Sequence, residues 1–318
     1  MTRVESELFQ FPPFEFPSPE DLPDRRRFRD GLVARLTGFR PLFLDIDVPH
    51  GDTPAPVVVW LHGGAWTWGT NKHTLGPFST QHIREQTVAA GFAFASAQYR
   101  LSGEASWPAQ LHDVKSAVRW IKHHARELRV DAERVAVWGE SAGAHLACLI
   151  ATTGDEFRLE GDQGVTGTTS RIHAAVSWYA PSDLTAAELR APVSALLGAR
   201  PDLDAEASPL HHVSARSAPV LLVHGTADTV VSVDHSRRLA AAYALHGAAS
   251  ELVLVDGAGH AFAGSDPEPL VDLGIAYLRR VLGHDAAVAA GTRRETHHAE
   301  LQAPPGRLRS SSRRSKGR

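Results

Sequence analysis

Short segments rich in β-branched and aromatic residues alternate with helical patterns along most of this 318-residue chain. Such alternation is typical of βαβ units, in which parallel strands are joined by right-handed helical crossovers. We therefore expect a doubly wound α/β fold, a mostly parallel sheet with helices on both faces. The predicted strands are Leu42–Val48, Val57–Leu61, Phe92–Gln98, Arg134–Trp138, Ala174–Trp178, Val220–Val223 and Glu251–Val255. The predicted helices are Phe78–Ala90, Pro108–Leu128, Ala142–Thr152, Val233–Leu245 and Glu268–Leu282.

Composition argues against several classes of protein. The 33 Lys and Arg are balanced by 36 Asp and Glu, so the net charge of −3 gives no sign of a specific nucleic-acid partner. No segment approaches the roughly 20 apolar residues that span a bilayer, and the N-terminus lacks a signal-like apolar run. We therefore expect a soluble, cytoplasmic protein without a membrane span. Cys148 is the only cysteine, and the histidine pairs lack a convincing ligand set, so we expect no metal and no cofactor.

The segment VAVWGESAGAHLACLI changes in its middle from a β-branched run to a helical pattern. The pattern G-x-S-x-G at such a junction is typical of a nucleophile elbow, a turn so tight that the residues flanking the serine must be small. The five letters alone are weak evidence, but their position between a strand and a helix is strong evidence. Ser141 is therefore the candidate nucleophile, and the N–H of Ala142 lies where a helix N-terminus can bind an anion.

A serine nucleophile needs a base and a group that orients the base. In this kind of sheet the partners follow the serine in the order acid, then histidine, at the carboxyl ends of later strands. Asp228 follows the strand PVLLV in the segment HGTAD, and His260 follows ELVLV in the segment DGAGH. Asp234 and Asp256 are alternative acids, whereas His224 and His235 are expected to be structural or surface residues.

Donors for an oxyanion are expected earlier in the chain, where the buried strand VVVWL runs into the segment HGGAW. Glycines let the backbone bend and present N–H groups, so Gly64 and Ala65 would join Ala142 around a developing negative charge. His62 is expected to brace this loop. Trp66 and Trp68 are candidate substrate-binding residues that would line an acyl pocket.

The ordered motifs HGGAW, GESAG, HGTAD and DGAGH resemble those of the α/β-hydrolase superfamily, in particular carboxylesterases similar to hormone-sensitive lipase and the bacterial feruloyl-esterase-like group. The similarity extends from about Leu42 to Leu282. It implies a Ser-Asp-His triad at Ser141, Asp228 and His260, and an oxyanion hole at Gly64, Ala65 and Ala142. One departure is that lipase-like families usually have a third glycine at the position of Ala65. The pattern HGGxW is also that of kynurenine formamidases.

The resemblance implies a serine hydrolase that cleaves small carboxylic esters through an acyl-enzyme, and the narrow space beside two tryptophans favours short acyl chains. A kynurenine-formamidase-like hydrolase of arylformamides is the alternative. A non-catalytic ligand-binding module and an acyltransferase of the same fold are hypotheses from other classes. The sequence leaves the oligomeric state and the natural substrate open.

The chain is expected to have three parts. Residues 1–40 form an N-terminal arm or cap, with an extended Phe- and Pro-rich stretch followed by a helix-like run at Asp24–Leu36. Residues 41–284 form the α/β-hydrolase catalytic domain, with a lid-like insertion at about 181–218, where the connection is too long for a plain crossover. Residues 285–318 form a disordered basic tail, since from Thr292 to Arg318 eight Lys and Arg stand against two acidic residues.

A chain that ends at Gly283 should keep its full kcat/KM, because the predicted tail ends in the basic stretch APPGRLRSSSRRSKGR, which has too few apolar residues to pack on the site. It should lose only a weak, salt-sensitive attraction to polyanions. The measurements are kcat/KM on a simple ester and retention on heparin at low and high salt, each compared with the full chain. A large loss of activity would place the tail in the site.

Overall fold

The computed structural model of the chain describes residues 15–72, 80–186 and 189–284, so the predicted tail at 285–318 lies outside the described residues. Within them, the strands form one sheet in the order β1-β2-β3-β5-β4-β6-β7-β8-β9. The six strands from β5 to β9 in this order are parallel, and β1, β2 and β3 extend one edge in antiparallel pairing. The strands are β1 (Glu20–Asp21), β2 (Arg25–Ala34), β3 (Leu42–Pro49), β4 (Ala55–Leu61), β5 (Ala93–Ala97), β6 (Val130–Glu140), β7 (Ala174–Trp178), β8 (Val220–Gly225) and β9 (Ser250–Val255).

Helices cover both faces of this sheet. They are α1 (Thr80–Ala89), α2 (Ala109–His123), α3 (Ala125–Leu128), α4 (Ala142–Thr152), α5 (Arg190–Leu196), α6 (Asp234–Leu245) and α7 (Glu268–Val281). Residues of α2, α4 and α6 belong to one apolar core, and residues of α1 and α7 belong to a second. Alternate strand residues serve the two cores: Val57 and Val59 face the first, whereas Val58 and Trp60 face the second. The predicted doubly wound α/β fold is confirmed.

Every strand and helix predicted between Leu42 and Leu282 is present, with described ends that move by up to four residues; the predicted start of the helix at Phe78 lies outside the described residues. The predicted helix at Pro108–Leu128 divides at His124 into α2 and α3. No helix in the described ranges is both long enough and apolar enough to cross a bilayer.

The prediction of a helix at Asp24–Leu36 is wrong, because Arg25–Ala34 forms strand β2 and pairs antiparallel with β3. Arg25 and Arg27, two residues apart on one face of the strand, both reach the buried Asp47 of β3, at 3.3 Å and 2.6 Å. These ion pairs need the two-residue period of a strand, and pairing with the sheet overrides the local helical pattern.

The described part of the predicted N-terminal arm packs on the first core. The ring of Phe16 stacks on Trp120 of α2 with centroids 5.8 Å apart and meets Phe28 of β2 edge to face. The predicted insertion at 181–218 contains α5 and two single 3₁₀ turns, at Pro201–Leu203 and Pro209–His212. Three of its apolar side chains, Leu184, Val193 and Leu196, are fully buried in the same core.

Helix α7 approaches the sheet so closely that Gly274 has no space for a side chain. A Cβ atom there would lie 2.3 Å from Cη2 of Trp138, which is itself enclosed by Trp60 and Trp178. Gly274→Ala should therefore lower the free energy of unfolding by about 1–3 kcal/mol, the usual cost of overpacking a core. Thermal unfolding of the variant and the parent chain measures the loss.

Gly103→Ala is the matched control, because no heavy atom lies within 4 Å of a Cβ built at that turn position. Its midpoint of unfolding should equal that of the parent. Equal midpoints for both variants would contradict the close approach of α7.

Candidate active site

Ser141 lies between β6 and α4 in a backbone conformation that few residues adopt, with φ 49° and ψ −117°. The turn requires small neighbours: a Cβ at Gly139 would lie 2.3 Å from the carbonyl oxygen of Gly143, and a Cβ at Gly143 would lie 2.2 Å from that of Leu61. The two glycines therefore let α4 begin directly against the ends of β4 and β6. The serine is the residue that this turn pushes outward.

The structure brings the three predicted side chains together. Nε2 of His260 lies 3.2 Å from Oγ of Ser141, and Nδ1 of His260 lies 2.7 Å from Oδ2 of Asp228. Since a carboxylate only accepts, the Nδ1–H of His260 donates to Asp228, and Nε2 is left as the acceptor for the serine hydroxyl. A chain of two hydrogen bonds thus links the acid to the serine across three separate segments.

The Asp228 carboxylate is completely buried, and both of its oxygens accept hydrogen bonds from the protein. Its Oδ1 accepts the N–H groups of Val230 and Val231, each at 2.9 Å. Burial alone would raise the pKa of this carboxyl, but hydrogen bonds from His224, His260 and Val231 hold the pKa well below its usual range. Asp228 is therefore ionised beside His260.

The alternative acids have other partners. Asp234 begins α6, is mostly exposed and pairs with Arg237 at 2.9 Å. Asp256 accepts a hydrogen bond from the hydroxyl of Thr226 at 3.2 Å. Of the three carboxylates considered from sequence, Asp228 is the one that contacts His260.

The loop after β4 lies against the serine. A Cβ at Gly63 would lie 3.3 Å from Cβ of Ser141. Beyond it the chain turns through positive φ at Gly64, Ala65 and Trp66, and the carbonyl of Gly64 accepts the N–H groups at 67 and 68. Among the residues that the structure describes, the N–H groups of Gly64, Ala65 and Ala142 have no protein acceptor. These three donors remain available to a bound group.

His62 braces this loop, as its place in the motif suggests. Its ring stacks on Tyr99 at 4.4 Å, its Nδ1–H donates to the carbonyl of Gly63 at 2.7 Å, and the Tyr99 hydroxyl donates to the carbonyl of His62 at 2.8 Å. Burial lowers the pKa of His62 to about 4, so the ring is neutral at physiological pH.

The two predicted tryptophans have different surroundings. Trp68 is 53% exposed, whereas Trp66 is buried and its Nε1–H donates to Nδ1 of His145 at 3.2 Å. Nε2–H of His145 in turn donates to the carbonyl of Ala207 at 2.7 Å. Burial lowers the pKa of His145 to about 4. This neutral histidine of α4 therefore connects the loop after β4 to the 181–218 insertion.

The structure adds a buried pair that the sequence reasoning missed. Glu140 accepts the N–H of Gly63 at 3.3 Å and the hydroxyl of Tyr179 at 2.9 Å. The Tyr179 ring packs edge to face on His260 at 4.8 Å. Burial raises the pKa of Tyr179 well above its ordinary value, and the Glu140 carboxylate adds to the effect. The signal available in the sequence was position, since Tyr179 directly follows the carboxyl end of β7.

Comparisons with known proteins show that the chain is similar to ester hydrolases. The chain is 31% identical over 194 residues to the probable carboxylic ester hydrolase LipM of Mycobacterium tuberculosis, covering 58% of this chain and 43% of LipM. It is 31% identical over 219 residues to the esterase LipQ of the same organism, covering 65% of this chain and 50% of LipQ. The chain thus spans about half the length of these relatives.

Among solved structures, a truncated carbohydrate esterase from gut microbiota superimposes with a TM-score of 0.73 at 26% identity, covering 83% of this chain and 99% of that one. A family model described as BD-FAE matches residues 44–243, which contain most of β3, all of β4 to β8, Ser141 and Asp228. That match extends over more than half of the sequence, and the chain therefore belongs to the BD-FAE family.

Proposed function

We propose that this protein is a serine hydrolase that cleaves carboxylic esters through an acyl-enzyme formed on Ser141. The observation that carries the proposal is the continuous set of contacts from Ser141 through His260 to Asp228, at 3.2 Å and 2.7 Å. The names of LipM and LipQ as ester hydrolases support the same chemistry. None of the three groups is missing, which favours a catalyst over a binding module of the same fold.

In the proposed reaction, Nε2 of His260 takes the proton of Ser141 as its oxygen attacks the ester carbonyl. The ionised Asp228 holds the tautomer of the ring and stabilises the imidazolium that forms. The N–H groups of Gly64, Ala65 and Ala142 receive the oxyanion of the tetrahedral intermediate, and each such donor contributes about 3–4 kcal/mol in serine hydrolases.

Collapse of the intermediate expels the alcohol, which takes its proton from His260. A water then repeats the sequence on the acyl-enzyme, with His260 again as the base, and releases the acid and free Ser141. An acyltransferase would share the first half of this cycle and differ only in the acceptor. No step requires a metal or an organic cofactor.

The preferred acyl group depends on the space beside the oxyanion loop. We propose that Trp66 and Trp68 border this space. The buried Trp66, which donates a hydrogen bond to His145, would form a fixed wall of the space. A long chain gains about 0.8 kcal/mol per methylene only if there is space to bury it. We therefore expect acyl chains of about two to six carbons to be preferred, because longer chains would not fit in this space.

Replacement of the nucleophile tests the core of the proposal. Ser141→Ala should lower kcat by about 10⁴-fold or more, because no other hydroxyl takes the place of the attacking oxygen. The fold should persist, as checked by thermal unfolding, since the outward-facing hydroxyl contributes little packing. A serine-directed organophosphate should add its mass to the parent chain and not to the variant.

Ser232→Ala is the control, because this serine lies near α6 and its hydroxyl only accepts the N–H of Asp234. It should retain both turnover and labelling. Near-normal turnover by Ser141→Ala would refute the acyl-enzyme.

Variants of Asp228 and Asp234 distinguish the proposed catalytic acid from an aspartate that only begins a helix. Asp228→Asn should cost on the order of 10⁴ in kcat, because an amide at this position holds the His260 ring in the wrong tautomer. Asp234→Asn should change kcat little, since its side chain is exposed and pairs with Arg237. Steady-state kinetics of the two variants on one ester decide the matter, and the reverse order would reassign the acid.

A substrate panel tests the acyl preference and the amide alternative together. The kcat/KM on p-nitrophenyl acetate or butyrate should exceed that on the decanoate, and Trp66→Phe should move the optimum towards longer chains. Trp120→Phe is the control for loss of a buried indole, since Trp120 lies in α2 and stacks on Phe16. If N-formylkynurenine gives a kcat/KM far above every ester, the formamidase function replaces the esterase and the triad keeps its role.

A further inference from the structure

A second histidine contacts the acid of the proposed triad. His224 lies in β8, four residues before Asp228, and both side chains are completely buried. Its Nε2 lies 3.3 Å from Oδ2 of Asp228 and 2.9 Å from the carbonyl oxygen of Val231. Its Nδ1 lies 2.7 Å from the hydroxyl of Ser236 in α6.

These contacts fix the tautomer of His224. A carbonyl oxygen only accepts, so Nε2 must carry a proton and donate. In the neutral ring, Nδ1 then accepts from the Ser236 hydroxyl, which can rotate to donate. His224 is therefore a buried N–H donor shared between Val231 and Asp228, with its ring orientation set by Ser236.

The same carboxylate oxygen receives both imidazoles. Oδ2 of Asp228 accepts from Nδ1 of His260 at 2.7 Å and lies 3.3 Å from Nε2 of His224. Oδ1 is taken by the N–H groups of Val230 and Val231. With donors on both oxygens, the carboxylate cannot rotate without breaking buried hydrogen bonds, each of which is costly to leave unmade.

We propose that His224 is a positioning residue for the reaction: its Nε2–H holds Oδ2 of Asp228 where that oxygen directs the His260 ring towards Ser141. The inference rests on the proposed Ser141, His260 and Asp228 function. It assigns to a histidine within HGTAD a task that a merely space-filling ring would not have. His224 touches neither substrate nor serine and acts through Asp228.

Two substitutions of His224 by polar amides of different length test whether the side chain must extend as far as Asp228. The amide of His224→Asn ends near the position of Nδ1, so it meets Ser236 but not Asp228. The amide of His224→Gln is one bond longer and places an N–H near the position of Nε2. We expect Asn to lower kcat by about 10- to 100-fold with KM unchanged, by analogy with the outer-shell groups that orient the ligands of metal sites. Gln should recover most of the loss.

His235→Asn is the matched control, because His235 is also a buried histidine and lies in the first turn of the same helix, one residue before Ser236. Its Nδ1 accepts the N–H groups of Ser182 and Asp183, at 3.2 Å and 3.3 Å. Its Asn variant should retain kcat even if it loses some thermal stability.

A proton NMR signal provides a readout that packing alone would not move. The His260 Nδ1–H bonded to a carboxylate resonates far downfield, and its loss in Asp228→Asn assigns it. In His224→Asn this resonance should move further downfield, because Oδ2 has one donor fewer and accepts more strongly from His260. It should stay in place in His235→Asn and return towards the parent position in His224→Gln.

The outcomes are distinct for the inference and for the proposed function. Parent-like kcat and resonance in His224→Asn, with Asp228→Asn inactive, would overturn the inference and leave the triad. Equal losses in the Asn and Gln variants with an unmoved resonance would reduce His224 to packing and also overturn it. Full activity in Asp228→Asn would remove the triad and the inference with it.

If His224→Asn does not fold, Ser236→Ala tests the same assignment. It removes the hydroxyl that sets the orientation of the His224 ring and leaves the ring in place. A lower kcat with a displaced resonance supports the inference, and parent values of both overturn it.

Discussion

The close approach of α4 to the ends of β4 and β6 is the constraint on which the rest of the site depends. Gly143 lies so near Leu61 that a Cβ would come within 2.2 Å of its carbonyl oxygen. The helix can then begin directly after Ser141, whose φ of 49° costs on the order of 1–3 kcal/mol for a residue with a side chain. Two backbone hydrogen bonds fix this conformation: the N–H of Ser141 donates to Trp178, and its carbonyl accepts from His145, both at 2.9 Å.

Around this turn, burial and hydrogen bonding determine which side chains are charged and which are neutral. His62 and His145 are enclosed, and their lowered pKa values keep them neutral, so each ring donates at one nitrogen and is fixed in orientation. The ionised Asp228 is buried among donors, while the His260 side chain is 23% exposed and faces Ser141. In the proposed reaction, the positive charge that forms on proton transfer is therefore held by His260, the ring that lies between the buried Asp228 carboxylate and Ser141.

The sequence predicts those parts of the structure that depend on local pattern. The bounds of β7 and α4 were predicted to the residue, and the positions of Ser141, Asp228 and His260 follow from motifs at strand ends. The helix expected at Asp24–Leu36 failed because the ion pairs to Asp47 are contacts with another strand. Glu140 and Tyr179 were missed for the same reason. Their partners lie 77 and 39 residues away, and no spacing rule within a single element connects them.

Ala65 lies where the lipase-like families that this chain resembles usually have a third glycine. Contacts with distant residues stabilise the loop conformation that this alanine adopts. Ala65 and the following Trp66 both have positive φ, at 50° and 58°, which costs about 1–2 kcal/mol for each residue with a Cβ. A glycine would adopt this conformation without that strain. It would also give the unfolded loop more conformational entropy, which is lost on folding. Here the indole of Trp66 is tied to His145 on the nucleophile helix, and the carbonyl of Gly64 closes the turn with two N–H groups. The loop and the helix that carry the proposed oxyanion donors are therefore fixed to each other by a side chain, and the donor geometry depends on Trp66 as much as on the glycines before it.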